Sequence, residues 1–408
     1  MAHTKILVVN SLYSPYIGGG AEIICQNLAE SLHARGYEVA VLTTGMKVKT
    51  VKDSVNGIPV IRMGLRNLYF AKQTKRPHKI VRFIWHLVDI YNPLAKFEVD
   101  RIIGDLKPDV ALCHNISGFS VSLWSSLYGH NIPVIEVLHD QYLRCPNCNT
   151  YKNGKVCNKQ CLTCRLMRLP HRRISRKVNT VVGVSEYVLN SMVGNGYFKD
   201  SKKYVIHNAQ EIPLPEEKRH WDGRSPLKIG YIGTLTEAKG IKMLIEVFKS
   251  LSINAELYIA GSGNIEYENS LKDLAEEDQR IKFLGYVKSC DFYELIDVCV
   301  MPSLWPDTFP GVAYESCAYY VPVIASDIGG IPEIIHHGRN GLLFRSGSRT
   351  QLRDAILFVY NHPDCLCQYS TCARREVESL LSPERVVDKY EEIVKTFIVK
   401  NYHVCRGL

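Results

Sequence analysis

Short apolar runs, Gly-rich breaks and stretches of helical periodicity alternate along most of the chain. The first unit is clear: "KILVV" (residues 5–9) reads as a buried strand and runs into a Gly-rich loop. "AEIICQNLAESLHARG" then places Ile24, Leu28 and Leu32 on one helical face and stops at Gly36. "EVAVLTT" is the next strand. Further strands are predicted at "DVALCH" (109–114), "PVIEVLHD" (133–140), "TVVGVS" (180–185) and "YVIHN" (204–208). Strands alternating with helices imply a parallel sheet covered on both faces.

The pattern breaks at "EIPLPEEKRHWDGRSP" (211–226), which is polar, holds three prolines and has no periodicity, as a linker does. A second alternating array follows: "LKIGYIG", "AELYIAG", "IKFLGYV", "DVCVMPS", "VPVIASD" and "GLLF". The fold class is therefore α/β with two Rossmann-like, doubly wound domains. The expected boundaries are 1–210 with a Cys-rich insert at 145–164, a linker at 211–226, a second domain at 227–384, and a last helix at 385–408 returning to the first domain. Ligands of such sheets bind outside the carboxyl ends of the strands, in the crevice two such domains would form between them.

Composition alters this picture little: 408 residues, 46% hydrophobic and 22% charged, is ordinary globular usage. The opening residues hold only a four-residue apolar run, and no stretch is long enough to span a bilayer. A cytosolic protein is expected, with its 14 cysteines as reduced thiols or metal ligands. Charge is uneven. The net +9 divides into +14 for residues 1–220 and −5 for the remainder, so the first half is expected to meet something anionic or to present a solvated basic face.

Three Gly-rich turns follow predicted strands: Gly18-Gly19-Gly20, "GTLTEAKG" (Gly233 to Gly240, with Thr234 and Lys239), and "SDIGGIPE" (with Gly329, Gly330 and Glu333). Glycines let backbone amides approach a phosphate, and a following helix N-terminus favours its charge. None has dinucleotide or P-loop spacing. In "WPDTFPGVAYES" (305–316), Asp307 and Glu315 stand eight positions apart around Pro310-Gly311. Capping of a helix opened by Pro310 explains the first acid, but leaves the second as an ordinary surface residue.

The run from "YIGTLTEAKGIKMLIEVF" to "GRNGLLF", with "YSPYIGGGAEIICQNLAESLHARGYEVAVLTT", "HDQYLRCP" and "VVGVSEYVLNSMVGNGY", resembles the retaining glycosyltransferases of family 4 over nearly the whole chain. The resemblance implies a GT-B fold and transfer of a sugar from a nucleotide diphosphate sugar to an acceptor hydroxyl with retained configuration. The acceptor would be a glycan or lipid-linked glycan, and no cofactor would be required for catalysis. It assigns Asp307, standing where the family has Glu, to the donor sugar, and Glu315 to the ribose. It assigns Lys239 to the diphosphate, with Thr234 in place of the usual Arg, and His139 to the reacting sugar beside Asp140. Gly19, Gly20, Gly233, Gly311, Gly329 and Gly330 would line the donor. A nucleotide-sugar epimerase or phosphorylase on the same fold is the alternative enzyme.

Two features fall outside the donor set. "CPNCNTYKNGKVCNKQCLTC" carries Cys145, Cys148, Cys157, Cys161 and Cys164; four of the five have the spacing of a structural zinc, or all are reduced thiols. Basic residues interleave with apolar ones at Lys72, Lys75, Lys79 and Arg82, and again at Arg165, Arg168, Arg172, Arg173, Arg176 and Lys177. Such segments rest on an anionic membrane, here its inner face, or form a solvated surface. A zinc-ribbon nucleic-acid binder would use the cysteines and the basic half, but it leaves the acid pair and glycine turns unexplained; no nucleic acid partner is expected.

Overall fold

The computed structural model describes residues 4–70, 77–152, 154–157, 159–215 and 221–405, with side chains described as far as residue 398. Lys72 and Lys75 lie outside the described residues. Contacts divide the chain into two units. One comprises Met1–Cys148, Lys159–Asn208 and Pro383–Leu408; the other comprises Asn149–Asn158 and Ala209–Ser382.

The first unit is built on an eight-stranded sheet: β1 (Lys5–Val9), β2 (Glu38–Thr44), β3 (Val51–Val55), β4 (Ile58–Met63), β5 (Val110–Cys113), β6 (Val134–Leu138), β9 (Thr180–Gly183) and β10 (Lys202–Val205), in the order β10-β9-β6-β5-β1-β2-β4-β3. A two-stranded hairpin, β7 (Tyr151–Lys152) and β8 (Lys155–Val156), belongs to the other unit. All pairings in the eight-stranded sheet are parallel except β3 with β4. β1, β5 and β6 are almost wholly buried, which is why they read as unbroken apolar runs rather than alternating ones. The sequence reading missed β3 and β4. Their connection is Asn56-Gly57 with φ of 50° and 81°, the left-handed pair that a tight hairpin needs, and β3 is an edge strand whose three central residues are exposed.

Strand order reverses between β1 and β5, so their carboxyl ends diverge and leave room for side chains from the following loops. The helix Gly20–Ala34 follows β1, and the helix Pro383–Cys405 packs in the same unit through Val387, Tyr390, Ile393 and Val394. Arg35 ties the two elements by bonds to Glu384 (2.6 Å), Asp388 (2.8 Å) and Glu391 (2.7 Å).

The second unit holds a six-stranded parallel sheet in the order β13-β12-β11-β14-β15-β16, from β11 (Leu227–Ile232), β12 (Ala255–Ala260), β13 (Ile281–Gly285), β14 (Val298–Met301), β15 (Val323–Asp327) and β16 (Gly341–Arg345). Its reversal lies between β11 and β14. The described parts of the stretch 211–226, expected as a linker, are attached here: the Arg374 guanidinium donates to the carbonyls of Ile212 (3.0 Å) and Pro213 (3.3 Å), and Trp221 enters the core beside Tyr360. The Cys-rich insert, expected to lie wholly in the first domain, is divided. Tyr151 lies near Glu237 and Tyr267, which explains why the hairpin is grouped with the second unit. Among the described residues no helix is long and apolar enough to cross a membrane.

Candidate functional site

In the second unit the loops leaving β11, β14 and β15 meet, and these are the loops that carry the predicted donor residues. Lys239 Nζ bonds Asp307 Oδ2 at 2.6 Å and sits 5.2 Å from the centroid of the Trp305 ring. Both side chains are largely buried, so the pair is screened less than a surface bridge. The Trp305 indole N–H is buried with no hydrogen-bond partner among the described residues. An orphaned buried donor costs about 1–3 kcal/mol, so a group that accepts from it would recover that energy.

Three close backbone approaches hold these loops together. At Gly240, with φ 73°, a Cβ would stand 1.9 Å from the Pro302 carbonyl oxygen; Leu304 donates to Ala238 O alongside it at 2.8 Å. At Gly329, with φ 64°, a Cβ would stand 2.2 Å from Asp307 O, and the Gly330 amide donates to that same oxygen at 2.8 Å. A Cβ at Gly261 would meet Gly233 O at 1.9 Å. Gly329 is thus needed for loop packing, and the Gly330 and Gly233 amides are bonded to Asp307 and Ala260 carbonyls. With those amides engaged by backbone carbonyls, these close approaches position the loops that carry Lys239 and Asp307. Thr234 is exposed, and its carbonyl accepts from Tyr231 Oη at 3.1 Å.

Glu315 lies on the helix Gly311–Ala318, whose N-cap is Pro310. It is not an ordinary exposed helix residue. Burial raises its carboxyl above the usual range, and the Tyr293 hydroxyl, donating to Oε2 at 3.3 Å, opposes that rise. Its Oε1 would be 2.8 Å from a Cβ at Gly311, so the missing side chain there lets the carboxylate lie over the first turn, where the helix dipole favours an anion.

In the first unit, the helix Gly20–Ala34 opens at the glycine turn. Gly19 donates to Glu22 Oε2 at 2.7 Å, so that amide is engaged by its own helix. A Cβ on Gly20 would meet nothing within 4 Å, so packing among the described residues does not require glycine there. His139 follows β6 and His114 follows β5; their rings stack, and His114 Nδ1 lies 2.8 Å from His139 Nε2. Burial lowers His139 to about 4 and holds His114 well below its ordinary value. Both rings are therefore neutral, and one donates while the other accepts. The His114 Nε2 atom is buried without a hydrogen-bond partner among the described residues. Asp140 is raised to about 6 by burial and caps the Tyr142 amide at 2.7 Å. Sequence reasoning missed His114, although two adjacent parallel strands each ending in His was a legible signal; Trp305 and Tyr293 carried none.

Among the described residues no three Cys, His, Asp or Glu side chains gather to hold a metal ion. Cys164 comes nearest, its thiol pushed up to about 12 by burial and by Cys161 and Cys145 beside it. Cys148 lies near Asp140, Arg168 and Cys145, its amide donating to the Cys145 carbonyl at 2.9 Å, and Cys157 falls in the segment that belongs to the other unit. Arg168, expected on a basic surface, is fully buried over the Tyr142 ring at 4.5 Å, with Nη1 2.7 Å from His171 Nε2.

The histidine pair fixes a pH dependence. As pH falls from 6.5 towards about 4, the unfolded chain takes up protons that the folded pair refuses, so stability that is present above 6.5 is lost across that window. Buried Asp140 acts in the opposite sense, weakening the fold as pH rises towards about 6. His114→Gln/His139→Gln removes only the first contribution. Urea midpoints across the window are expected to fall less steeply in this variant than in the wild type; equal slopes contradict the neutral pair.

Two family models cover most of the chain: Glycosyltransferase Family 4 matches residues 18–210, and Glycosyl transferases group 1 matches residues 226–362. The chain is 31% identical to an uncharacterised 42.6-kDa protein in a cps region of Klebsiella pneumoniae, over 81% of this chain and 87% of that one. It is 23% identical to N-acetyl-alpha-D-glucosaminyl L-malate synthase of Bacillus anthracis, over 92% and 93%. Among solved structures, sucrose-phosphate synthase from Thermosynechococcus elongatus superposes with a TM-score of 0.75 at 16% identity, covering 97% of this chain and 100% of that one. HepE of Anabaena, in complex with UDP and glucose, superposes with 0.70 at 17% identity, over 96% and 100%. The fold is therefore GT-B, and the chain belongs to the group 1, family 4 glycosyltransferases.

Proposed function

We propose that the protein transfers a sugar from a nucleotide diphosphate sugar to a hydroxyl of a glycan or lipid-linked glycan, with retained anomeric configuration, in the synthesis of a surface polysaccharide. The observation that carries this reading is the Lys239–Asp307 pair under Trp305, on loops locked by close-packed glycines. Lys239 is a fixed ammonium where the leaving diphosphate gathers charge, and preorganised charge of this kind is the largest single source of rate in such reactions. Asp307 accepts hydroxyls of the donor sugar and Glu315 those of the ribose, each able to take two hydrogen bonds. His139, neutral and oriented by His114, faces the sugar as a hydrogen-bonding group rather than a charge. With both carboxylates on hydroxyls, the leaving phosphate takes the acceptor proton on the same face. The relatives support the pathway: one lies in a cps region and another is named for capsular polysaccharide biosynthesis in Staphylococcus aureus.

The acceptor reading extends to a membrane. The helix Lys79–Val88 exposes Ile80 (63%) and Phe83 (53%), with Lys79 and Arg82 on the same helix, and the helix Pro93–Leu106 exposes Phe97 (76%). A further exposed segment, Leu162–Met167, shows Leu166 (64%) beside Arg165. Apolar side chains interleaved with cations enter the headgroup region of an anionic leaflet, the cytoplasmic one for this chain.

A panel of nucleotide diphosphate sugars tests the reaction. One donor is expected to be consumed, with the product keeping the donor's anomeric configuration by proton NMR and Glu315→Ala lowering kcat/KM by ~100-fold; an inverted product or an unaffected variant overturns the reading. The surface has its own test. The protein is expected to cosediment with vesicles containing anionic lipid and Ile80→Ser/Phe83→Ser to stay in solution, whereas equal sedimentation of the two refutes docking through this helix.

A further inference from the structure

A cavity of about 250 Å³ opens in the first unit, lined by Pro15 and Tyr16 before the first helix, Gly45, Met46, Lys47 and Lys49 after β2, Val51 and Asp53 on β3, and Arg62 on β4. β1, β2, β4, β5 and β6 are parallel, so residues that follow β2 lie at the same end of the sheet as His114 and His139. Nothing in the donor reading uses this cavity.

Its floor is a buried cation. Arg62 Nε donates to Asp53 Oδ2 at 2.8 Å and Nη2 to the Ser14 carbonyl at 2.6 Å, while its guanidinium carbon lies 5.9 Å from the Tyr16 ring centroid. Asp53 offsets that charge. Lys47 and Lys49 have no ion-pair partner among the described residues, so the cavity keeps a net positive rim. The rim is also rigid. Gly45 donates to Met63 O at 2.8 Å, Leu65 donates to Lys47 O at 2.8 Å, and Arg66 Nη1 donates to Val48 O at 2.8 Å. Glycine at two positions permits this approach: a Cβ would stand 2.8 Å from Met63 O at Gly45, and 2.2 Å from Val48 O at Gly64. The backbone at Gly45, Lys47 and Val48 is thus fixed before any ligand arrives, which lowers the ordering cost of binding.

We propose that this cavity is an acceptor subsite for one anionic sugar, holding its phosphate or carboxylate between Lys47 and Lys49 while the Tyr16 ring and Met46 cover an apolar face. Ligand pockets run ~300–1,000 Å³, so a cavity at the small end takes one ring or headgroup rather than an oligosaccharide. The assignment rests on the glycosyltransferase reading, because it makes the acceptor of that same reaction a charged one.

Calorimetry with glucose 6-phosphate, glucuronate and methyl glucoside tests it. At least one of the two anionic sugars is expected to bind about tenfold more tightly than the neutral one, and which of them does so identifies phosphate or carboxylate as the recognised group. Lys47→Ala/Lys49→Ala is expected to lose that preference and Lys47→Arg/Lys49→Arg to keep it, with thermal melting confirming that both are folded. Equal binding of charged and neutral sugars by the wild type, or a preference that survives the alanine pair, overturns the subsite. Titrating the wild type with nucleoside diphosphates separates the failures: nucleotide binding without anionic preference removes the subsite alone, and absence of nucleotide binding removes the donor reading.

Discussion

The second unit depends on one ionic contact, Lys239 with Asp307, and on the backbone approaches that make it unavoidable. Two unit charges ~4 Å apart interact by ~4 kcal/mol at the effective dielectric of a protein surface, and this pair is closer and largely buried. The cation is therefore in position before a ligand arrives. Its position is set by glycine: at Gly240 and Gly329 any side chain would collide with the carbonyls of Pro302 and Asp307. The buried Trp305 indole N–H beside Lys239 has no hydrogen-bond partner among the described residues.

The first unit applies the same topological rule to different chemistry. Strand order reverses between β1 and β5, and the adjoining strand ends carry neutral histidines rather than charged groups. Burial keeps both rings uncharged, so their mutual hydrogen bond fixes their orientation without adding a cation at that end of the sheet. Exposed cations of this unit, such as Lys47, Lys49 and Lys79, lie on loops and helices, consistent with the strongly basic first half of the chain.

Much of this was legible in the sequence because the relevant physics is local. Buried parallel strands read as apolar runs, and Pro310-Gly311 marks a helix start. What stayed hidden depends on contacts distant in sequence. The polar edge strand β3 carries no apolar signal, since only one side of it is paired. The engagement of the Gly330 amide by Asp307 O was not legible, because an amide turned towards a ligand and one turned towards a backbone carbonyl have the same sequence. Arg168 sat in a run of basic residues that all read as surface, and only the stacked Tyr142 ring and neighbouring His171 show why it is buried.

The central claim is that Lys239 meets the donor diphosphate and that Asp307 holds it in place to do so. A double-mutant cycle on nucleoside diphosphate affinity, comparing the wild type with Lys239→Ala, Asp307→Ala and both together, tests it directly. The account predicts that the lysine substitution weakens binding by ~30-fold or more, and that the aspartate substitution changes affinity only while Lys239 is present, so that the two effects are far from additive. Four proteins of equal affinity, or two strictly additive effects, would contradict it.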